Sequence, residues 1–92
     1  IRMLSNKKIN ARPELVRLIN NIAYEKNISI ADVFFATEVA LANLIGTKYG
    51  SVYEIMVSID VNNGNIDIYR VRKVVAIVEN HYKEIDIYLL QL

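Results

Sequence analysis

Residues 58–75 read "SIDVNNGNIDIYRVRKVV". Asp60, Asn62, Asn63, Gly64, Asn65 and Asp67 stand between two apolar runs. Three readings compete: a calcium loop, a carboxylate active site, or a turn. An EF-hand loop wants Asp at its first position, oxygen donors at the third and fifth, and Gly at the sixth. Counting back from Gly64 puts Ile59 first; counting on from Asp60 puts Asn65 where Gly is required and Val71 where the closing Glu belongs. The calcium reading fails. Asn63-Gly64 between alternating segments is a β-hairpin signal, because both residues tolerate positive φ. Asp60 and Asp67 then lie near a hairpin end in water, a poor setting for acid–base chemistry.

The hairpin extends outward on both sides. Upstream, Tyr53, Ile55, Val57 and Ile59 alternate with Glu54, Met56, Ser58 and Asp60, which predicts a half-buried strand. Downstream, Ile66 and Ile68 resume the alternation. The run 65–78 is long for one strand, and Ile68 and Tyr69 break its phase. A bulge or bend is expected near Tyr69 to Arg72. "KVVAIVE" continues as strand, in the same ribbon or a third one. "NHYKE" is a polar break and "EIDI" another short extended piece, or Asp86 caps a helix opening with "IYLLQL".

Two helices precede the hairpin. Pro13 fits a first helical turn, where its missing N–H is not needed. Leu15, Leu18, Ile19 and Ile22 follow at helical spacing, predicting a helix from Pro13 to Lys26 that stops near Asn27. Ser29 is placed as an N-cap with Asp32 three residues on, and Ile28 and Val33 as the staple across it. Val33, Phe34, Thr37, Ala40, Leu41, Leu44 and Ile45 form one wide apolar face. The second helix ends at Gly46 or Gly50. Residues 1–12 read as a flexible arm and residues 13–92 as a single domain cut from a longer protein. The fold class is α+β: a helix hairpin packed on a small antiparallel hairpin or sheet, with a third helix starting at the C-terminal end.

Composition narrows the function. The 92 residues suit one small domain with a modest core. A net charge of +1 argues against a basic footprint over the whole surface. The absence of cysteine excludes disulfides and thiolate metal sites. No unbroken apolar run approaches the roughly 18 residues of a membrane span. A cytoplasmic location, with no membrane, cofactor or small-molecule substrate, is the expectation.

Few residues carry a chemical signal. His81 is the only histidine and lies in a polar break, so Glu79, His81 and Glu84 make at most a chance metal site. A hydrolytic site on His81 and Asp67 would predict an activity lost in His81→Ala. With three glycines in all, a phosphate loop is nearly excluded, and no nucleophile elbow appears. Arg70, Arg72 and Lys73 form a basic run, read either as contacts to a phosphate backbone or acidic partner, or as charge guarding a sheet edge. Phe35, Val39 and Ala42 lie opposite the main stripe of the second helix. They either bury against the sheet or line an exposed partner groove.

The order of these motifs resembles the N-terminal domain of the NusA transcription factor family, over about residues 11–88. The helix "ISIADVFFATEVALANLIGTKYG" carries Glu38, Ala40, Leu41, Ala42, Lys48 and Tyr49 at the family's positions. The hairpin matches at Ile59, Asp60, Gly64, Tyr69, Arg70, Val74, Val75 and Val78, and the closing segment at Glu84, Ile85 and Asp86. Phe35 and Val39 depart from the family, which is more often polar there, and 44–46 lack its usual basic and threonine residues. The resemblance implies a bacterial, non-enzymatic elongation factor. Its domain would dock on the β-subunit flap of RNA polymerase near the RNA exit channel, promoting pausing, termination and antitermination. Phe35, Val39 and Ala42 would meet the flap-tip helix, and Lys48, Arg70, Arg72 and Lys73 would face RNA or polymerase. The family's OB-fold and KH domains, which bind nascent RNA, would lie beyond Leu92. The alternative is a stand-alone RNA-binding module using the basic strand bend, with affinity that falls steeply with salt.

Overall fold

Pro13 begins helix α1 (Pro13–Lys26), and the Arg12 carbonyl receives the first helical bonds from Leu15 and Val16 N–H in the computed structural model, which describes residues 2–89, with side chains from residue 7 onward. Asn27 closes α1 in the left-handed conformation at φ 51°. Ile28 N–H reaches the Ala23 carbonyl and Asn27 N–H reaches that of Tyr24, the paired bonds of a Schellman end. Helix α2 (Ile30–Lys48) follows at once. Ser29 stands before it, but its side chain makes no cap bond. Ile28 of the expected staple remains 46% exposed.

The end of α2 is decided by Gly50. Gly46 lies inside the helix, and Gly50 takes φ 75°. Ser51 N–H bonds the Gly46 carbonyl and Gly50 N–H that of Thr47, again the Schellman pair. By length and composition α2 is apolar enough to cross a membrane, which unbroken runs alone had not suggested. Here it carries Asp32 and Glu38 and packs Phe34 into the core, 4% exposed.

Strands β2 (Glu54–Ile59) and β3 (Ile66–Val75) form the expected antiparallel hairpin, with Val57 opposite Ile68 and Ile59 opposite Ile66. Its loop differs from the two-residue Asn-Gly turn. Asp60 N–H bonds the Asn65 carbonyl and Gly64 N–H that of Asp60, enclosing residues 61–64. Only Gly64 takes positive φ there, at 77°. The Asp60 carboxylate accepts the N–H groups of Asn62 and Asn63, so it serves the turn.

Residues 2–9 are not a flexible arm. They form strand β1 (Arg2–Ile9), antiparallel to β3 from Ile9 opposite Ile66 to Arg2 opposite Lys73. The stretch lacks a clean two-residue alternation, so only its tertiary partner defines it. Nor is there a bulge at Tyr69–Arg72: pairing runs unbroken along β3 on the β1 side. β3 ends at Val75, and β4 (Glu84–Asp86) pairs parallel to its last residues, followed by a 3₁₀ turn (Ile87–Leu89). Asp86 accepts Tyr88 N–H and so caps that turn. The sheet order is β1–β3–β2, with β4 beside the end of β3.

The core is small and lies at one end of the sheet. Ile19, Phe34, Val57 and Ile59 are buried there, with Leu15, Val16, Leu41, Ala42, Ile45, Ile55, Ile66 and Ile68 packed around them. Leu18 and Leu44 of the expected stripes remain 54% and 68% exposed. The radius of gyration is 16.0 Å, against about 12 Å for a compact domain of this length.

Candidate docking groove and the arginine cluster

α2 and β2 leave a groove of about 440 Å³ between them. One wall is a helical face: Phe35, Glu38, Val39 and Ala42, at the i, i+3, i+4, i+7 spacing. The other wall is four consecutive strand residues, 55–58. Successive strand side chains point to opposite faces, so all four line one groove only where the strand presents its edge. Phe35 is 67% and Val39 42% exposed. Ala42 is half-buried and packs against the core. The sequence left burial and exposure open for this line, and the structure divides it.

Glu38 spans the groove. Its Oε2 accepts the N–H of Ile59 at 2.8 Å. Asp60 and Asn65 form a hydrogen-bonded pair in the β2–β3 ladder, so the groups of Ile55, Val57 and Ile59 point the other way, to the open edge. Glu38 therefore caps one edge donor.

The basic run is not on a sheet edge. β3 is the central strand between β1 and β2. The Arg70 guanidinium stacks over the Tyr53 ring at 4.5 Å and donates from Nη2 to the carbonyls of Tyr82, at 3.2 Å, and His81, at 3.4 Å. Tyr53 makes edge contacts with Tyr49 and Tyr82. Arg70 thus ties the 79–84 loop to the end of α2. The Nε atoms of Arg70 and Arg72 are buried without a hydrogen-bond partner among the described residues. Arg72 is half-buried, and Lys48 and Lys73 are exposed. The site expectation missed Glu38 and Tyr53; Glu38 appeared only as a matching position of the resemblance.

The 79–84 loop has its own anchor. The Glu84 Oε1 accepts the N–H groups of Asn80, at 2.8 Å, and Glu79, at 3.0 Å. These bonds, the one from Asn80 first, hold its carboxyl below the ordinary glutamate range, and the Lys73 charge adds to the effect. His81 is exposed in this loop and lies against Tyr82, with ring centroids 4.0 Å apart. Among the described residues no three His, Cys, Asp or Glu side chains converge to hold a metal.

The fold is a small α+β domain with an open, largely apolar groove between α2 and β2. The family model for the NusA N-terminal domain matches residues 14–89. The chain belongs to this family. It is similar to the transcription termination/antitermination protein NusA of Rickettsia conorii and to that of Rickettsia prowazekii, 31% identical to each over 74 residues. The matched region is 80% of this chain and spans 15% of the length of each relative. No solved structure matches the chain.

Proposed function

We propose that this domain docks a transcription elongation factor on RNA polymerase, at the β-subunit flap near the RNA exit channel of a bacterial cytoplasmic transcription complex. There it promotes pausing, termination and antitermination without covalent chemistry. The observation that carries the reading is the exposure of Phe35 and Val39, two large apolar side chains one turn apart on the same face of α2. Lys48 and Lys73 are turned to solvent and meet RNA or polymerase. Arg70 and Arg72 lie on the same strand, but their Nε atoms are buried and the Arg70 guanidinium is engaged inside the fold. That engagement weighs against a stand-alone RNA module built on the basic run.

The test is a titration of the labelled domain with a β-flap fragment, read by backbone amide shifts. Saturable shifts centred on Phe35 and Val39, lost in the Phe35→Ser/Val39→Ser double variant, support the reading. Binding confined to RNA oligonucleotides, with affinity falling steeply in salt, replaces it with the RNA module.

A further inference from the structure

We propose that the open edge of β2 accepts an extended segment of a partner polypeptide, which adds to the sheet beside β2 and sets a Lys or Arg against Glu38. The inference rests on the reading of the α2–β2 groove as the partner face.

Three observations lead to it. First, the floor of the groove is backbone. The N–H and C=O groups of Ile55 and Val57 point into it and have no hydrogen bond among the described residues. A helix laid along the groove would cover these groups and leave them unpaired, at a cost like that of lost hydrogen bonds. A strand would pair them. Second, α2 lines the groove with Phe35, Val39 and Ala42, so alternate side chains of an added strand meet an apolar wall. Third, the open edge is closed at Ile59, where Glu38 takes the N–H. An added segment of about four or five residues fills the span before that stop.

Charge selects the occupant. Glu38 is the sole charged side chain lining the groove, and its single hydrogen bond is to a neutral N–H. It has no cationic partner among the described residues. A Lys or Arg on the incoming strand supplies one. A second copy of this chain pairing β2 with β2 would instead bring two Glu38 carboxylates to one interface.

The probe is the peptide Val-Thr-Lys-Thr-Val, whose Val and Lys side chains share the face turned to α2, titrated into the labelled chain to millimolar concentration. Two N-methylated versions carry the methyls on one or the other alternate set of residues. Strand addition slows amide exchange at Ile55 and Val57 by at least about tenfold. It fails for one methylated set and survives for the other. Glu38→Gln keeps an oxygen for Ile59 N–H, weakens the lysine peptide, and leaves a norleucine analogue unchanged. Unslowed exchange at Ile55 and Val57, or equal binding of both methylated sets, overturns the proposal. Protection of these amides with rising protein concentration and no peptide assigns the edge to a second copy and also overturns it. A flap fragment that binds α2 without slowing Ile55 and Val57 removes strand addition and keeps polymerase docking. A peptide that adds at β2 when the flap fragment does not bind has the reverse meaning.

Discussion

Gly64 and Arg12 touch through their backbones. Arg12 N–H donates to the Gly64 carbonyl at 3.3 Å, and a Cβ on Gly64 would overlap the Arg12 carbonyl. That same carbonyl receives the first bonds of α1. The hairpin tip and the helix start are thus one joint. At φ 77° Gly64 is also in the region that other residues rarely adopt.

Gly64→Ala is therefore expected to destabilise the fold by about 2–3 kcal/mol, from strain and the clash together. Gly46→Ala is the control: it lies within α2, and an added Cβ meets nothing within 4 Å. That change should stabilise by about 0.5–1 kcal/mol. Urea unfolding midpoints of the two variants check both signs.

Phe34 and Phe35 are adjacent and opposite in role, at 4% and 67% exposed. Phe34→Ala should cost about 3–5 kcal/mol as a core truncation. Phe35→Ser with Val39→Ser should leave thermal unfolding nearly unchanged while removing partner binding. Calorimetry beside the flap titration separates the two.

Glu38→Ala removes the acceptor for Ile59 N–H and should cost about 1–2 kcal/mol, with faster amide exchange at Ile59. Glu38→Gln retains an acceptor and should keep most of the protection. Equal exchange in both variants would remove Glu38 from the edge.

Arg70→Ala loses the stack on Tyr53 and the bonds to the 81 and 82 carbonyls. The expected result is loosening of residues 79–84 and altered Tyr49, Tyr53 and Tyr82 ring signals, at a stability cost of about 1–2 kcal/mol. NMR of the aromatic protons and loop amides reads it.

Glu84 gives a pH dependence with a definite sign. Its carboxyl is lowered from the ordinary value of 4.5 by the Asn80 and Glu79 N–H bonds. The folded state thus favours the ionised form, and the contribution is complete above 4.5 and lost as acidity rises through the folded value. Amides of 79–84 should lose protection as the pH falls below that point. Glu84→Gln should flatten the response.

Much of the fold was legible in local pattern. Pro13 and Asn27 bound α1, and the two-residue alternation around Gly64 marked the hairpin, because these signals act within a few residues. The α+β class and the family resemblance followed from the order of those elements. β1 was not legible: its ladder depends on the far side of β3, over 57 positions from Ile9 to Ile66. The long β3 resembled a bent strand because neighbouring Ile68 and Tyr69 are both half-buried.

The candidate site divides in the same way. Sequence periodicity put Phe35, Val39 and Ala42 on one line of α2, since helical spacing alone sets that. Whether the line faces core or solvent depends on where β2 lies, and the tertiary structure turned the strand's edge toward it. The sequence showed Arg70 as one of three cations; packing set its guanidinium on Tyr53 and two loop carbonyls. Local spacing determined which residues share a face, and long-range packing decided which faces stay open.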